Sequence, residues 1–305
     1  MIKLKLTMKQ KPFLKWVGGK TQILDKILSK IPKEMNNYHE PFVGGGSVLL
    51  AVLSMKERGE IKIKGKIFAC DLNQGLIAVF KNIQNNKDEL FERIDALITE
   101  YDSIEGESIN RNPDTLENAK TSKESYYYWL RNKLNKSDKA SIEYSALFMV
   151  INKLCFRGMY REGPHGYNVP YGHYKKTPTI ITKEEMNRTS ELIKDVKFEC
   201  CDFMDAFKNM KKNDFVYFDP PYAPETAKSF VKYLEGGFDL ECHEKLFNNV
   251  LELNKKKVKY VLCNAKVDMV LEKFSGCSMD ELTARRAINC KNPEATTKEV
   301  MIYNF

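Results

Sequence analysis

Across residues 20–31 (KTQILDKILSKI), Ile23, Leu24, Ile27, Leu28 and Ile31 fall on one helical stripe. Pro32 follows as a stop, so a helix is predicted there. Short apolar runs read as strands at roughly 38–43, 66–71, 196–201, 214–219, 258–263 and 298–304, with helical patterns between some of them. Strands alternating with helices predict an α/β layer structure with a largely parallel sheet. The middle of the chain differs. Leu76–Tyr101 and Glu124–Leu134 carry helical periodicity. Residues 152–176 carry little periodicity and much Gly, Pro, Asn and Tyr. Long irregular stretches inside compact chains are usually functional. The expected organisation is one α/β domain built from 1–73 and 191–305, with an insertion at 74–190. No internal repeat or low-complexity tract interrupts this pattern.

The 305 residues are 43% apolar and 30% charged, a globular composition. Lys and Arg number 49 against 41 Asp and Glu, a net charge of +8, which suits an anionic partner. No apolar run approaches the roughly 20 residues of a membrane helix. The opening MIKLKLTMKQKPF lacks the apolar middle of a secretory signal. A cytoplasmic protein with no membrane partner is expected. The cysteines, Cys70 and Cys263 among them, form no C-x-x-C pair. No metal site is expected, and buried reduced thiols are the default.

Two glycine-rich sites stand early: Trp16-Val17-Gly18-Gly19-Lys20-Thr21 and Phe42-Val43-Gly44-Gly45-Gly46-Ser47. The first ends like a phosphate-binding loop, but Leu14 stands where that loop needs its first glycine. The second approaches a dinucleotide fingerprint, but its third glycine is Leu49. What remains is a strand, a turn free of bulky side chains, and a helix beginning near Ser47. Glycine there lets a ligand approach the backbone. Asp71 follows Gly46 by 25 residues, at the end of strand-like IFACD. A carboxylate so placed can accept hydrogen bonds from ribose hydroxyls. The site suits an adenosine without demanding a pyrophosphate.

Asp219-Pro220-Pro221-Tyr222 follows the strand-like DFVYF. Neither proline donates an N–H, so the ladder ends in a rigid turn. The turn offers one carboxylate, free carbonyls and one aromatic ring. The exocyclic amino group of adenine is a poor nucleophile because its lone pair is delocalised into the ring. A carboxylate and a carbonyl that each accept an amino proton would draw the nitrogen toward tetrahedral geometry. Tyr222 would stack on the base. Pre-organisation would supply most of the rate.

In this order the motifs resemble the Dam-type adenine-specific DNA methyltransferases, over nearly the whole chain. The segments are FLKWVGGK at 13–20, EPFVGGGSV at 40–48, CDLN at 70–73, YYYWLRNKLNKS at 126–137, YNVPYGHYKK at 167–176, FDPPYAP at 218–224 and RRAIN at 285–289. The resemblance implies a Rossmann-like methyltransferase sheet with an inserted, mainly helical DNA-recognition domain. It implies S-adenosylmethionine (AdoMet) as cofactor and double-stranded DNA as partner. It leaves open a cognate restriction endonuclease acting separately. A monomer or weak dimer is expected. Carried over residue by residue, Trp16, Lys20, Phe42, Gly44, Gly46, Ser47 and Asp71 would contact the cofactor, with Asp202 and Phe203 toward its adenine ring. Asp219 would sit where cofactor and target adenine meet, with Pro220, Pro221 and Tyr222 beside it. Lys15, Arg131, Arg157, Tyr160, Arg161, Asn168, Pro170, His173 and Lys175 would lie on the DNA.

Residues 152–176 hold five cations against one carboxylate, +4, which is half the net charge of the chain. Phe156, Tyr160, Tyr167, Tyr171 and Tyr174 interleave with those cations. Cations contact phosphates, arginine reads guanine edges, and aromatic rings stack on bases. The target amino group is paired inside a duplex, so the base must be flipped. GATC-methylating relatives show an F-N-G-L-x-R pattern, whereas this chain reads Phe156-Arg157-Gly158-Met159-Tyr160-Arg161. Arg157 in place of asparagine suits a second guanine or a phosphate. The segment looks more like the branch that methylates CATG. Cytosine in DNA and adenine in RNA stay open as targets, since the Asp-Pro-Pro-Tyr turn serves either. A catalytically dead binding module would be expected to break a motif, and Asp71 and Asp219 are both present.

Overall fold

The structure, a computed structural model, describes residues 10–224, 238–285 and 296–305. Contacts divide the chain into two compact units: Met1–Gly19, Gly44–Leu50 and Asn73–Lys194 in one, Lys20–Val43, Ala51–Leu72 and Asp195–Phe305 in the other.

The second unit carries a seven-stranded sheet. In chain order its strands are β1 (Tyr38–Glu40), β2 (Ile67–Asp71), β3 (Val196–Cys200), β4 (Phe215–Phe218), β5 (Lys259–Ala265), β6 (Ser278–Arg285) and β7 (Thr296–Tyr303). Their spatial order is β6-β7-β5-β4-β1-β2-β3. Strands β1 to β5 pair in parallel, while β7 runs antiparallel to both β5 and β6. The protein is thus α/β with a mostly parallel sheet. Strand β4 is buried at all four positions, and β5 is buried from Tyr260 onward. Parallel strands covered on both faces read as unbroken apolar runs, which is why the sequence marks them. Strand β6 is the exception. It lies at the sheet edge, reads SMDELTAR, and has no apolar run to announce it.

The carboxylate of Asp214 stands just before β4, at the edge of the sheet where the parallel strands begin. It accepts hydrogen bonds from the Asn36 and Asn37 side chains (2.9 and 3.0 Å), from the Asn37 N–H (3.0 Å) and from the Lys211 N–H (3.0 Å). It also lies 2.9 Å from His39 Nε2. Burial by itself would raise the Asp214 carboxyl, but these donors outweigh it and hold it down at about 2. The stabilisation this gives is complete above the ordinary carboxylate value near 3.8 and is lost as pH falls toward about 2. Asp214→Ala should cost about 3 kcal/mol in urea unfolding at neutral pH, because several donors lose their acceptor together. The variant should also lose much of the wild-type stability difference between pH 5 and pH 2. A loss under about 1 kcal/mol would mean that this network does not hold the strand starts.

The first unit is mainly helical. Gln74–Asn85, Lys87–Asp102, Lys123–Lys136 and Ile142–Leu154 are its long helices before Lys183–Ile193. Ile142–Leu154 is apolar almost all round and correspondingly buried. The single helical stretch read at 76–101 is two helices. Asn86 leaves helical geometry (φ −135°, ψ 31°), its side chain donates to Asn82 Oδ1 at 2.9 Å, and Asp88 and Glu89 open the next first turn. The irregular stretch begins at the end of the Ile142–Leu154 helix and holds a single 3-10 turn, Phe156–Gly158, and a short hairpin, Glu162–Gly163 with Gly166–Tyr167.

This unit takes in more chain than the insertion read at 74–190. Asn152 explains part of the difference. Its side chain accepts from the Lys15 N–H at 2.9 Å and donates to the Lys15 carbonyl at 2.8 Å. Phe13 packs edge-on against Phe80, with ring centroids 5.3 Å apart. Among the described residues, no helix is long and apolar enough to cross a membrane.

Candidate active site

From β1 the chain builds outward to β2 and β3 on one side, then returns to place β4 and β5 on the other. At such a reversal the loops leaving the strand ends diverge and open a crevice. Asp219 follows β4 there, Phe42 follows β1 by two residues, and Asp71 ends β2. Asn264 lies near the end of β5. Glu299, on antiparallel β7, pairs with Ala265 and reaches the same edge.

The Asp219–Ala223 turn is fastened on several sides. Lys20, 6% exposed, places Nζ 2.7 Å from Asp219 Oδ1 and 4.9 Å from the centre of the Tyr222 ring. The Tyr222 phenol donates to Glu299 Oε2 at 2.8 Å. The Ala223 N–H donates to Asn264 Oδ1 at 2.9 Å. Burial drives the Asp219 carboxyl above its ordinary range. Lys20 offsets part of that rise, and the Glu299 charge adds to it. Burial pulls the Lys20 ammonium down, but the Asp219 charge and hydrogen bond outweigh it and leave Lys20 raised. The result is a largely buried carboxylate with one cation to hold its charge, presented on a turn whose prolines fix φ.

The other residues of this unit expected at the cofactor lie at neighbouring strand ends. Asp71 and Cys200 are partners in the β2–β3 ladder, so Asp71 and the Asp202–Phe203 pair belong to neighbouring strand ends. Phe42 and Phe203 stack with ring centroids 5.6 Å apart. Phe238 packs against both, at 5.9 and 5.4 Å. Phe238 was not legible as a site residue in sequence. Asp202 caps the short Phe203–Ala206 helix, its carboxylate accepting from the Met204 N–H at 2.8 Å. The thiols of this unit do not follow one rule: Cys70 and Cys263 are buried, but Cys200 is exposed.

In the first unit, Trp16 packs on Phe148 and Tyr160, with centroids 6.2 and 5.3 Å apart. It also lies against the glycine turn. A Cβ at Gly45 would come within 2.9 Å of Trp16 Cβ, and one at Gly44 within 3.0 Å of Trp16 Cδ1. Gly44 has φ +48°, so a side chain there is excluded by backbone as well as by space. Gly46 adjoins Phe80, and Ser47 begins the Ser47–Glu57 helix.

The residues expected on DNA share this unit, with different surroundings. Arg157 is exposed at φ 58°, beside exposed Phe156. Arg161 is also exposed. It donates from Nε to Asn168 Oδ1 at 2.6 Å, and the Asn168 N–H returns to the Arg161 carbonyl at 3.1 Å. Pro170 is exposed and its carbonyl accepts from the Phe156 N–H at 2.9 Å. Lys175 is exposed. His173 is exposed at φ 49°, 3.7 Å from Glu124. Lys15 donates from Nζ to the Tyr174 hydroxyl at 3.2 Å. Two residues face inward. Tyr160 is half-buried among Trp16, Phe148 and Tyr167. Arg131 donates to the Val169 carbonyl at 3.2 Å and stacks on Tyr128. Of RRAIN, residues 286–289 lie outside the described residues.

A buried carboxylate at the strand-order reversal of a mostly parallel sheet marks an α/β ligand site. Comparison with known proteins gives it a class. A model of the D12 class N6 adenine-specific DNA methyltransferases matches residues 16–288. The chain is 34% identical to Type II methyltransferase M.MjaIII of Methanocaldococcus jannaschii, over 98% of this chain and 100% of that one. It is 30% identical to Type II methyltransferase M1.LlaDCHI of Lactococcus lactis subsp. cremoris, over 97% and 95%. It is 29% identical to a DNA adenine methylase of Haemophilus influenzae, over 97% and 93%. The chain belongs to the D12 class of N6 adenine-specific DNA methyltransferases.

Proposed function

We propose that the protein methylates the exocyclic amino group of a flipped adenine in double-stranded DNA, using AdoMet, within a short palindrome, CATG in preference to GATC. The observation that carries this reading is the Asp219–Tyr222 turn, with its carboxylate held by Lys20 and its phenol by Glu299. Asp219 accepts a hydrogen bond from one amino N–H and a turn carbonyl accepts one from the other, which frees the nitrogen lone pair from the ring. The proton that the nitrogen sheds on methylation would pass to the Asp219 carboxylate. Bound AdoMet supplies an electrophilic methyl on a sulfonium.

The donor set fits such a cofactor. Asp71 is a strand-end carboxylate for ribose hydroxyls, and Phe42 and Phe203 are aromatic neighbours for an adenine ring. Trp16, Gly44, Gly46 and Ser47 are assigned to the same ligand by their motifs, and Lys20 joins them while paired to Asp219. On DNA, Arg157, Arg161, Asn168, Pro170, His173 and Lys175 present exposed groups, and Lys15 and Arg131 add cations. We place the enzyme on DNA in the cytoplasm, as a monomer or weak dimer.

The test is methylation mapping. Purified protein, AdoMet and unmethylated genomic DNA are incubated, and methyladenine is sequenced at single-base resolution. Modification at CATG is expected, and modification confined to GATC would remove the specificity assignment. Cytosine methylation, or transfer to RNA with none to DNA, would overturn the substrate reading.

A further inference from the structure

Glu299 and Asn264 stood outside every motif, yet both hold the Asp219–Ala223 turn. Glu299 is 8% exposed and Asn264 is fully buried. Asn264 Oδ1 accepts from both Ala223 and Ala265 N–H groups, at 2.9 and 2.8 Å. Glu299 Oε2 accepts the Tyr222 phenol proton at 2.8 Å. Hydrogen bonds to an ionised acceptor are among the strong ones. We infer that Glu299 is a positioning residue for methyl transfer: by holding the Tyr222 hydroxyl it fixes the position of the ring on which the target adenine rests. The inference rests on the methyl-transfer reading above.

A tyrosine ring has few ways to move once its neighbours are fixed. Pro220 and Pro221 restrict the backbone on one side of Tyr222, and the Asn264 bond to Ala223 restricts it on the other. The remaining freedom is the swing of the side chain about its Cα–Cβ bond, and the Glu299 bond to the phenol oxygen opposes it at the far end. The ring also shares Lys20 with Asp219. A swing of the side chain therefore displaces both the stacking surface and the cation that holds the carboxylate. A base misplaced by about 1 Å loses rate far more than affinity. DNA affinity comes chiefly from phosphate contacts, which Glu299 does not make.

The test is a mutant cycle on the full chain with a duplex carrying the mapped site. Glu299→Ala and Tyr222→Phe should each slow single-turnover methylation about 10- to 150-fold, the range expected for one hydrogen bond to a charged group. KM for DNA should stay within about threefold. The double variant should be no slower than the slower single variant, since both remove the same bond. Glu299→Gln keeps an acceptor oxygen and should recover most of the rate. With 2-aminopurine at the target position, Glu299→Ala and Tyr222→Phe should change the flipped-base fluorescence in the same direction.

Wild-type rate in Glu299→Ala, losses that multiply in the double variant, or Glu299→Gln no faster than Glu299→Ala would each overturn the inference. Should Glu299→Ala fail to fold, Glu299→Gln closes the cycle with Tyr222→Phe, and additive losses there count equally against it. A wild-type enzyme that leaves adenine unmodified in the same assay points instead to failure of the methyl-transfer reading.

Discussion

Asp219→Ala should reduce methyl transfer by about 1,000-fold or more while leaving DNA affinity within about threefold. In the proposed reaction the carboxylate is the one group of the turn able both to accept an amino proton and to offset the positive charge that develops on nitrogen. Alanine removes that acceptor and leaves the amino lone pair in conjugation with the ring. It also takes from Lys20 the carboxylate that lies 2.7 Å from its buried ammonium in the wild type. Single-turnover methylation at saturating AdoMet and DNA, beside a filter-binding titration of the same duplex, separates the two effects. Retained turnover would falsify the role given to Asp219. A parallel loss of binding would instead make it a binding residue.

The second large effect is at Lys20. With Asp219 it forms a pair whose side chains are only 7% and 19% exposed. Removing one partner of a buried pair strands the other charge and typically costs about 3–5 kcal/mol. Lys20→Met should therefore destabilise the protein by about that amount in denaturant unfolding at neutral pH. It should also move the acid limb of the pH–rate profile. Burial already holds Asp219 above the ordinary carboxylate range, and Lys20 is what pulls it back. Without Lys20 the carboxyl rises further, so activity that needs the ionised form is lost at a higher pH. Adding Asp219→Asn to Lys20→Met should restore stability to within about 1 kcal/mol, since no buried charge is then unpaired, but should not restore turnover. Normal stability in Lys20→Met, or an acid limb that does not move, would show that solvent rather than Lys20 carries the Asp219 charge.

The strands of the parallel core were legible because burial on both faces imposes continuous apolar runs, as in Phe215–Phe218 and Tyr260–Cys263. The Asp-Pro-Pro-Tyr turn was legible because two prolines can only end a ladder. The glycine turn was legible because nothing larger fits there, and the structure shows Trp16 as the reason at Gly44 and Gly45. Such features are local. Each is a constraint that a few adjacent residues must satisfy on their own.

Other features needed the folded chain. Strand β6 is an edge strand paired on one side, so its residues were free to be polar. Tyr160 packs on Trp16 and Arg131 bonds the Val169 carbonyl, contacts that no spacing in the sequence announced. Lys20 was assigned by motif to a cofactor, and its partnership with Asp219 joins residues 199 positions apart. Glu299 is 77 residues from Tyr222, and Asn264 is 41 from Ala223. No periodicity or spacing rule spans such intervals. The sequence by itself determined the α/β core, the rigid Asp-Pro-Pro-Tyr turn and the family, because those are written in contiguous residues. Tertiary structure alone decided which buried side chains hold that turn, because a charge or phenol removed from water takes the partner that folding brings to it.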